Sequence, residues 1–151
     1  MTSNQQPGQW ANPEPTEIAR ILRSTKTIAV VGLSAQPDRP SNHIAAYLIE
    51  RGYDVIPVNP AETEILGRTC YPDLASIGRP VDLVDVFRKG EATPPIVREA
   101  IAIGAKNIWL QEGVVSQESY DLAVQAGRPI VMDRCILKQH RRLEEEGNGT
   151  F

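Results

Sequence analysis

Apolar residues along this 151-residue chain fall into two alternating rhythms. Short, nearly continuous apolar runs occur at Thr27–Val31, Asp54–Val58, 81–87, Asn107–Leu110 and 129–132. They favour β-branched residues and end at Gly, Pro, Asn or Asp, the pattern of strands covered on both faces. Between them the spacing changes to the three-to-four-residue repeat of amphipathic helices. Ile18, Ile21 and Leu22 share one face after a capping Thr16, and Ile44, Ala45, Leu48 and Ile49 follow a cap at Ser41 or Asn42 and stop at Gly52. Ile96, Val97, Ala100 and Ile101 define a helix over 94–103 before Gly104. Ser116 caps another, carrying Tyr120, Ala123 and Val124 to Gly127, and a charged helix over 135–145 follows. A short helix is expected near 73–77.

Strands alternating with helices predict an α/β domain, a doubly wound parallel sheet of five strands with helices on both faces. The expected strand order is 3-2-1-4-5. Ligands of such sheets sit at the carboxyl ends of the strands, where the winding reverses. This order puts the reversal between the first and fourth strands. The loops after Val31 and Leu110 would then face each other across a crevice, flanked by those after Val58 and Val86.

Composition narrows the class. Hydrophobic residues make up 41% and charged residues 23%, as in a globular protein able to bury a core without metals or disulfides. A formal net charge of −3 argues against nucleic acid as partner, and no run is long enough to span a membrane. Residues 1–15, rich in Asn, Gln and Pro, read as a mobile leader, 16–145 as the single domain and 146–151 as a frayed tail. Cys70 and Cys135 lack metal-ligand spacing and suit free thiols in a reducing compartment, so the cytoplasm is the expected location. His43 and His140 have no evident catalytic partners, and no metal site is expected.

The candidate chemistry gathers at strand ends. Gly32 closes the first strand, where a missing side chain lets a phosphate approach the backbone. Ser34 replaces the second glycine of a dinucleotide fingerprint, Arg39 adds charge, and the helix opening near Pro40, Ser41 and Asn42 offers free N–H groups. Asn59-Pro60 ends the second strand, where a nicotinamide dinucleotide site places an acid for the ribose hydroxyls. A ribose carrying a 3′-phosphate would be repelled by an acid there, which suits Asn. Val86-Phe87-Arg88, with Lys89, and Gln111-Glu112-Gly113 close the third and fourth strands. A cation beside an aromatic ring fits an anionic ligand with a flat base. Each feature also has a plainer reading as turn chemistry or solvated charge, and Asp85 reads as a loop cap. Cys135, at a helix start beside Arg134, is the one candidate for a reactive thiol, though an inert, half-buried cysteine is the preferred reading.

The runs Ile28-Ala29-Val30-Val31-Gly32-Leu33-Ser34 and Pro37-Asp38-Arg39-Pro40-Ser41 resemble the small stand-alone CoA-binding proteins of bacteria and archaea. Val55-Ile56-Pro57-Val58-Asn59-Pro60, the segment Val81 to Arg88 and Met132-Asp133-Arg134-Cys135 continue the match, which covers about Thr16 to Leu143. The fold is also similar to the N-terminal CoA-binding domain of the succinyl-CoA synthetase α subunit. The resemblance implies a Rossmann-like domain holding coenzyme A by its nucleotide end. Gly32, Ser34 and Arg39 would face the phosphates, Asn59 and Pro60 the adenosine, and Val86, Phe87 and Arg88 the far wall. Gln111, Glu112 and Gly113 match the loop on the pantetheine side. The synthetase's phosphorylatable histidine belongs to a second domain, which is not expected here, so the ligase reaction is not expected to carry over. The expected function is non-catalytic binding of coenzyme A or an acyl-CoA. The alternatives are an NAD(P)-dependent oxidoreductase, the CoA-binding subunit of a ligase, and a thiol-redox role through Cys135.

Overall fold

A computed structural model describes residues 8–147. The sheet is built from β1 (Thr27–Val31), β2 (Asp54–Val58), β5 (Leu83–Val86), β6 (Asn107–Leu110) and β7 (Ile130–Val131), all parallel. A small antiparallel hairpin, β3 (Glu64–Ile65) with β4 (Arg68–Thr69), lies between β2 and β5. The helices are α1 (Pro15–Ser24), α2 (Pro40–Glu50), α3 (Thr93–Ala102), α4 (Gln117–Gln125) and α5 (Ile136–Glu146).

Alternation along each strand divides the core into two layers. Ile28, Val30, Val55, Leu83, Trp109 and Val131 pack against α1, α2 and α5. Ala29, Val31, Ile56, Val84, Val86 and Ile108 pack against α3, α4 and a turn bearing Leu74 and Ile77. Side chains on all four positions of β5 are buried, as a strand with helices over both faces requires.

The doubly wound α/β architecture is as the sequence implies, but the strand order is corrected. Hydrogen bonding runs β2-β1-β5-β6-β7, so the third long strand lies beside the first instead of outside the second. Right-handed crossovers permit both arrangements. What selects this one is the covering of β2's outer edge by the segment after the hairpin. Tyr71 N–H donates to Pro57 O at 3.0 Å, and Asn59 N–H donates to Tyr71 O at 2.9 Å. The winding therefore reverses between β1 and β5, not between β1 and β6.

Local corrections follow from capping and turn chemistry. α2 begins at Pro40, with Arg39 as its N-cap residue, so Ser41 and Asn42 lie inside the helix instead of capping it. Residues 73–77 form turns and no helix. Ser116 does cap α4, its hydroxyl accepting from Ser119 N–H at 3.1 Å. Residues 1–7 of the expected leader and 148–151 of the expected tail lie outside the described residues. From Gly8 the chain is fastened to the domain. Asn12 Nδ2–H donates to Met132 O at 2.9 Å, and Met132 N–H donates to Asn12 Oδ1 at 2.7 Å. Among the described residues no helix is long and apolar enough to cross a membrane.

Candidate functional site

The reversal between β1 and β5 brings the ends of those strands together. Phe87 N–H donates to Val31 O at 2.8 Å, and Gly32 N–H donates to Val58 O at 2.9 Å, which ties three strand ends to one rim. Gly32 has φ +86°, left-handed backbone that favours glycine. A Cβ there would collide with the Phe87 carbonyl oxygen and lie 2.5 Å from Arg88 Nη1. Glycine thus lets the Arg88 guanidinium lie over the end of β1.

Beyond Gly32, the loop is held by side chains that the sequence suggested as ligand contacts. Ser34 N–H donates to Ser41 Oγ at 2.9 Å, and Asn42 Nδ2–H donates to Ser34 O at 2.9 Å. The Ser34 hydroxyl accepts from Gln36 N–H at 3.1 Å. Asn59 bridges two loops, giving Nδ2–H to Leu33 O and accepting at Oδ1 from Ala61 N–H, both at 2.9 Å. The neutral amide shapes the cradle by making both bonds; a carboxylate has no hydrogen to give Leu33.

Two adjoining pockets open on this rim. The first, about 440 Å³, is lined by Gly32, Ser34, Arg39, Pro40, Ser41, Asn59, Phe87 and Arg88, all singled out in the sequence. Ala35, Gln36 and Glu62 also line it. Its two guanidinium groups, from Arg39 and Arg88, suit an anion. The second, about 530 Å³, is mostly apolar, with Ile44, Val114 and Cys135 beside Gln111, Glu112 and Gly113. Pro40, Phe87 and Arg88 line both and form the ridge between them. Among the sequence-selected residues, Asn42, Pro60 and Val86 line neither. Asn42 and Val86 are buried, whereas Pro60 is exposed. A hollow of about 570 Å³ lies between residues 9–15 and α5, and none of the sequence-selected binding residues lines it.

The second pocket has a fixed floor. Gly113 N–H donates to Asp133 Oδ1 at 2.7 Å, and Glu112 turns outward to Lys138 at 3.1 Å. Arg134 Nη1–H donates to Asp133 O at 2.8 Å, folding that guanidinium onto its own backbone. Cys135 is buried as the N-cap residue of α5. Asp85 does not cap a loop as expected: Gln111 Nε2–H donates to its Oδ1 at 2.6 Å beneath the pocket. Burial pushes the Asp85 carboxyl up to about 7, opposed only by that hydrogen bond. Burial likewise raises Cys70, which lies against the Asn59 carbonyl. His140 is buried against Tyr47, 2.9 Å from its hydroxyl, at the other end of the domain.

A doubly wound α/β domain with an anion-suited cradle at its switch point is the class these features define. The chain belongs to the family described as CoA binding domain, which matches residues 26–141. It is 41% identical over 129 residues to the uncharacterized protein YneT of Bacillus subtilis (strain 168), covering 85% of this chain and 96% of that one. A solved structure of a hypothetical protein from Pyrococcus horikoshii OT3 is 39% identical with a TM-score of 0.83, covering 95% of this chain and 99% of that one. The ADP-forming acetate–CoA ligase I of Archaeoglobus fulgidus is 29% identical over 121 residues, 74% of this chain but 18% of the ligase.

Proposed function

We propose that this protein binds coenzyme A or an acyl-CoA at the β1/β5 switch point without transforming it. The observation that carries this reading is the cradle at Gly32, where Arg88 and Arg39 line one pocket while Asn59 leaves no acid at the end of β2. The pyrophosphate and 3′-phosphate take the cationic pocket, and the less polar arm crosses the Phe87 ridge into the second. Two free cysteines fit a reducing cytoplasm, and the ligand is a small molecule, not nucleic acid or membrane.

One observation favours a second reading. Glu62 also lines the cationic pocket, three residues past Asn59, and a carboxylate there can take a free ribose diol as in a nicotinamide dinucleotide. Calorimetric titration separates the two. Coenzyme A binds more tightly than NAD or NADP if the first holds, and the reverse order overturns it. Pull-down of a histidine-bearing partner chain would place this domain in a ligase. A CoA adduct on Cys135 after mild oxidation would instead support the thiol role.

A further inference from the structure

Besides the charged Arg88, Lys89 and Glu112, the second pocket is lined by a neutral polar side chain, Gln111, that is held from below. Asp85 is 0% exposed and Gln111 4% exposed, and they meet through a side-chain hydrogen bond of 2.6 Å. Asp85 Oδ2 is buried without a partner, so the carboxyl serves this single contact. The Gln111 nitrogen is taken up by Asp85, while no described residue donates to Gln111 Oε1, and Gln111 lines the pocket. We propose that Asp85 is a positioning residue that grips the Gln111 carboxamide by its nitrogen, so that Oε1 faces the pocket as the acceptor for an amide N–H on the ligand's uncharged arm. A proton on Asp85 Oδ2 leaves Oδ1 able to accept, so the arrangement holds on both sides of neutrality.

The inference rests on the CoA reading and deepens it. Ile44, Val114 and Cys135 offer the arm apolar contact but no orientation. Glu112 is engaged by Lys138, so among the lining residues Gln111 Oε1 is the buried side-chain acceptor left without a partner, and a ligand without an N–H leaves it desolvated and unpaired. The pocket therefore selects arms with a secondary amide over hydrocarbon arms of equal length.

Calorimetry with coenzyme A and with adenosine 3′,5′-bisphosphate, which lacks the arm, tests this. Gln111→Met keeps the bulk and removes the acceptor; it should weaken coenzyme A about tenfold and leave the bisphosphate within twofold. Asp85→Ala should shift the ratio of the two affinities in the same direction. Asp85→Asn, which retains an oxygen for Gln111, should restore it. A merely structural role would weaken both ligands together, and that result, or no effect of Gln111→Met on either, overturns the inference. Coenzyme A failing to bind the folded wild-type protein would instead overturn the CoA reading itself.

Discussion

Replacing Asp85 by Asn removes an ionisable group from the centre of the sheet while keeping its shape and its acceptor for Gln111. The carboxyl is fully buried and pushed up to about 7, against about 3.9 in an unfolded chain. The folded state therefore holds this proton more tightly than the unfolded state does. The stability it contributes is fully present below the unfolded value, falls as pH rises through the interval, and levels off above about 7. Each pH unit inside the interval is worth about 1.4 kcal/mol, so raising pH from 5 to 8 removes about 2–3 kcal/mol of the wild type's advantage over Asp85→Asn. The lowered carboxyls of Asp54 and Asp82 titrate below this window and are common to both proteins. Guanidinium denaturation of the two proteins at pH 5, 6, 7 and 8 measures the difference. A gap between them that stays constant within 0.5 kcal/mol (about the resolution of such a comparison) refutes the idea that Asp85 is held neutral by burial.

Gly32→Ala should destabilise the fold by about 2–4 kcal/mol, from positive φ and collision with the Phe87 carbonyl, and should abolish coenzyme A binding by displacing Arg88; thermal melts and titration read both. Arg39→Ala and Arg88→Ala should each weaken coenzyme A by about 1.5–3 kcal/mol, and unchanged affinity in both removes the proposed phosphate site. Glu62→Gln should tighten coenzyme A and weaken NAD in competition titrations if that carboxylate repels the 3′-phosphate. Asn12→Ala should lower stability by about 1–3 kcal/mol through the two bonds it makes to Met132, without altering ligand affinity.

Much of the architecture was legible because period and punctuation agree in this chain. The β6 run Asn107–Leu110 and the α4 cap Ser116 stand where the residues put them. Strand order was not legible, since handedness rules leave open which neighbour β5 chooses. The edge of β2 that the expected order assigns to it is instead bonded by Tyr71, whose N–H donates to Pro57 O. The hairpin escaped for a different reason. Its turn takes positive φ at Leu66 (54°) and Gly67 (73°), where the usual signal is Asn-Gly or Asp-Gly, and leucine hides it. Most selected loop residues gather at the pockets because strand ends carry them. Glu62 was invisible because nothing in a loop's sequence says where its carboxylate comes to rest. Asp85 was legible as an acid inside a strand, but its partner Gln111 lies on the next strand's far end, a pairing that register alone reveals.

The bond pair between Asn12 and Met132 reaches beyond local stability. A two-residue strand at the rim of a sheet would ordinarily offer its peptide groups to any other extended chain, the first step toward intermolecular stacking. Here one carboxamide supplies the donor and acceptor that a sixth strand would present, without itself being a strand that could recruit a seventh. Proteolytic trimming past Asn12 would uncover that seam, which is closed by a side chain 120 positions away in sequence.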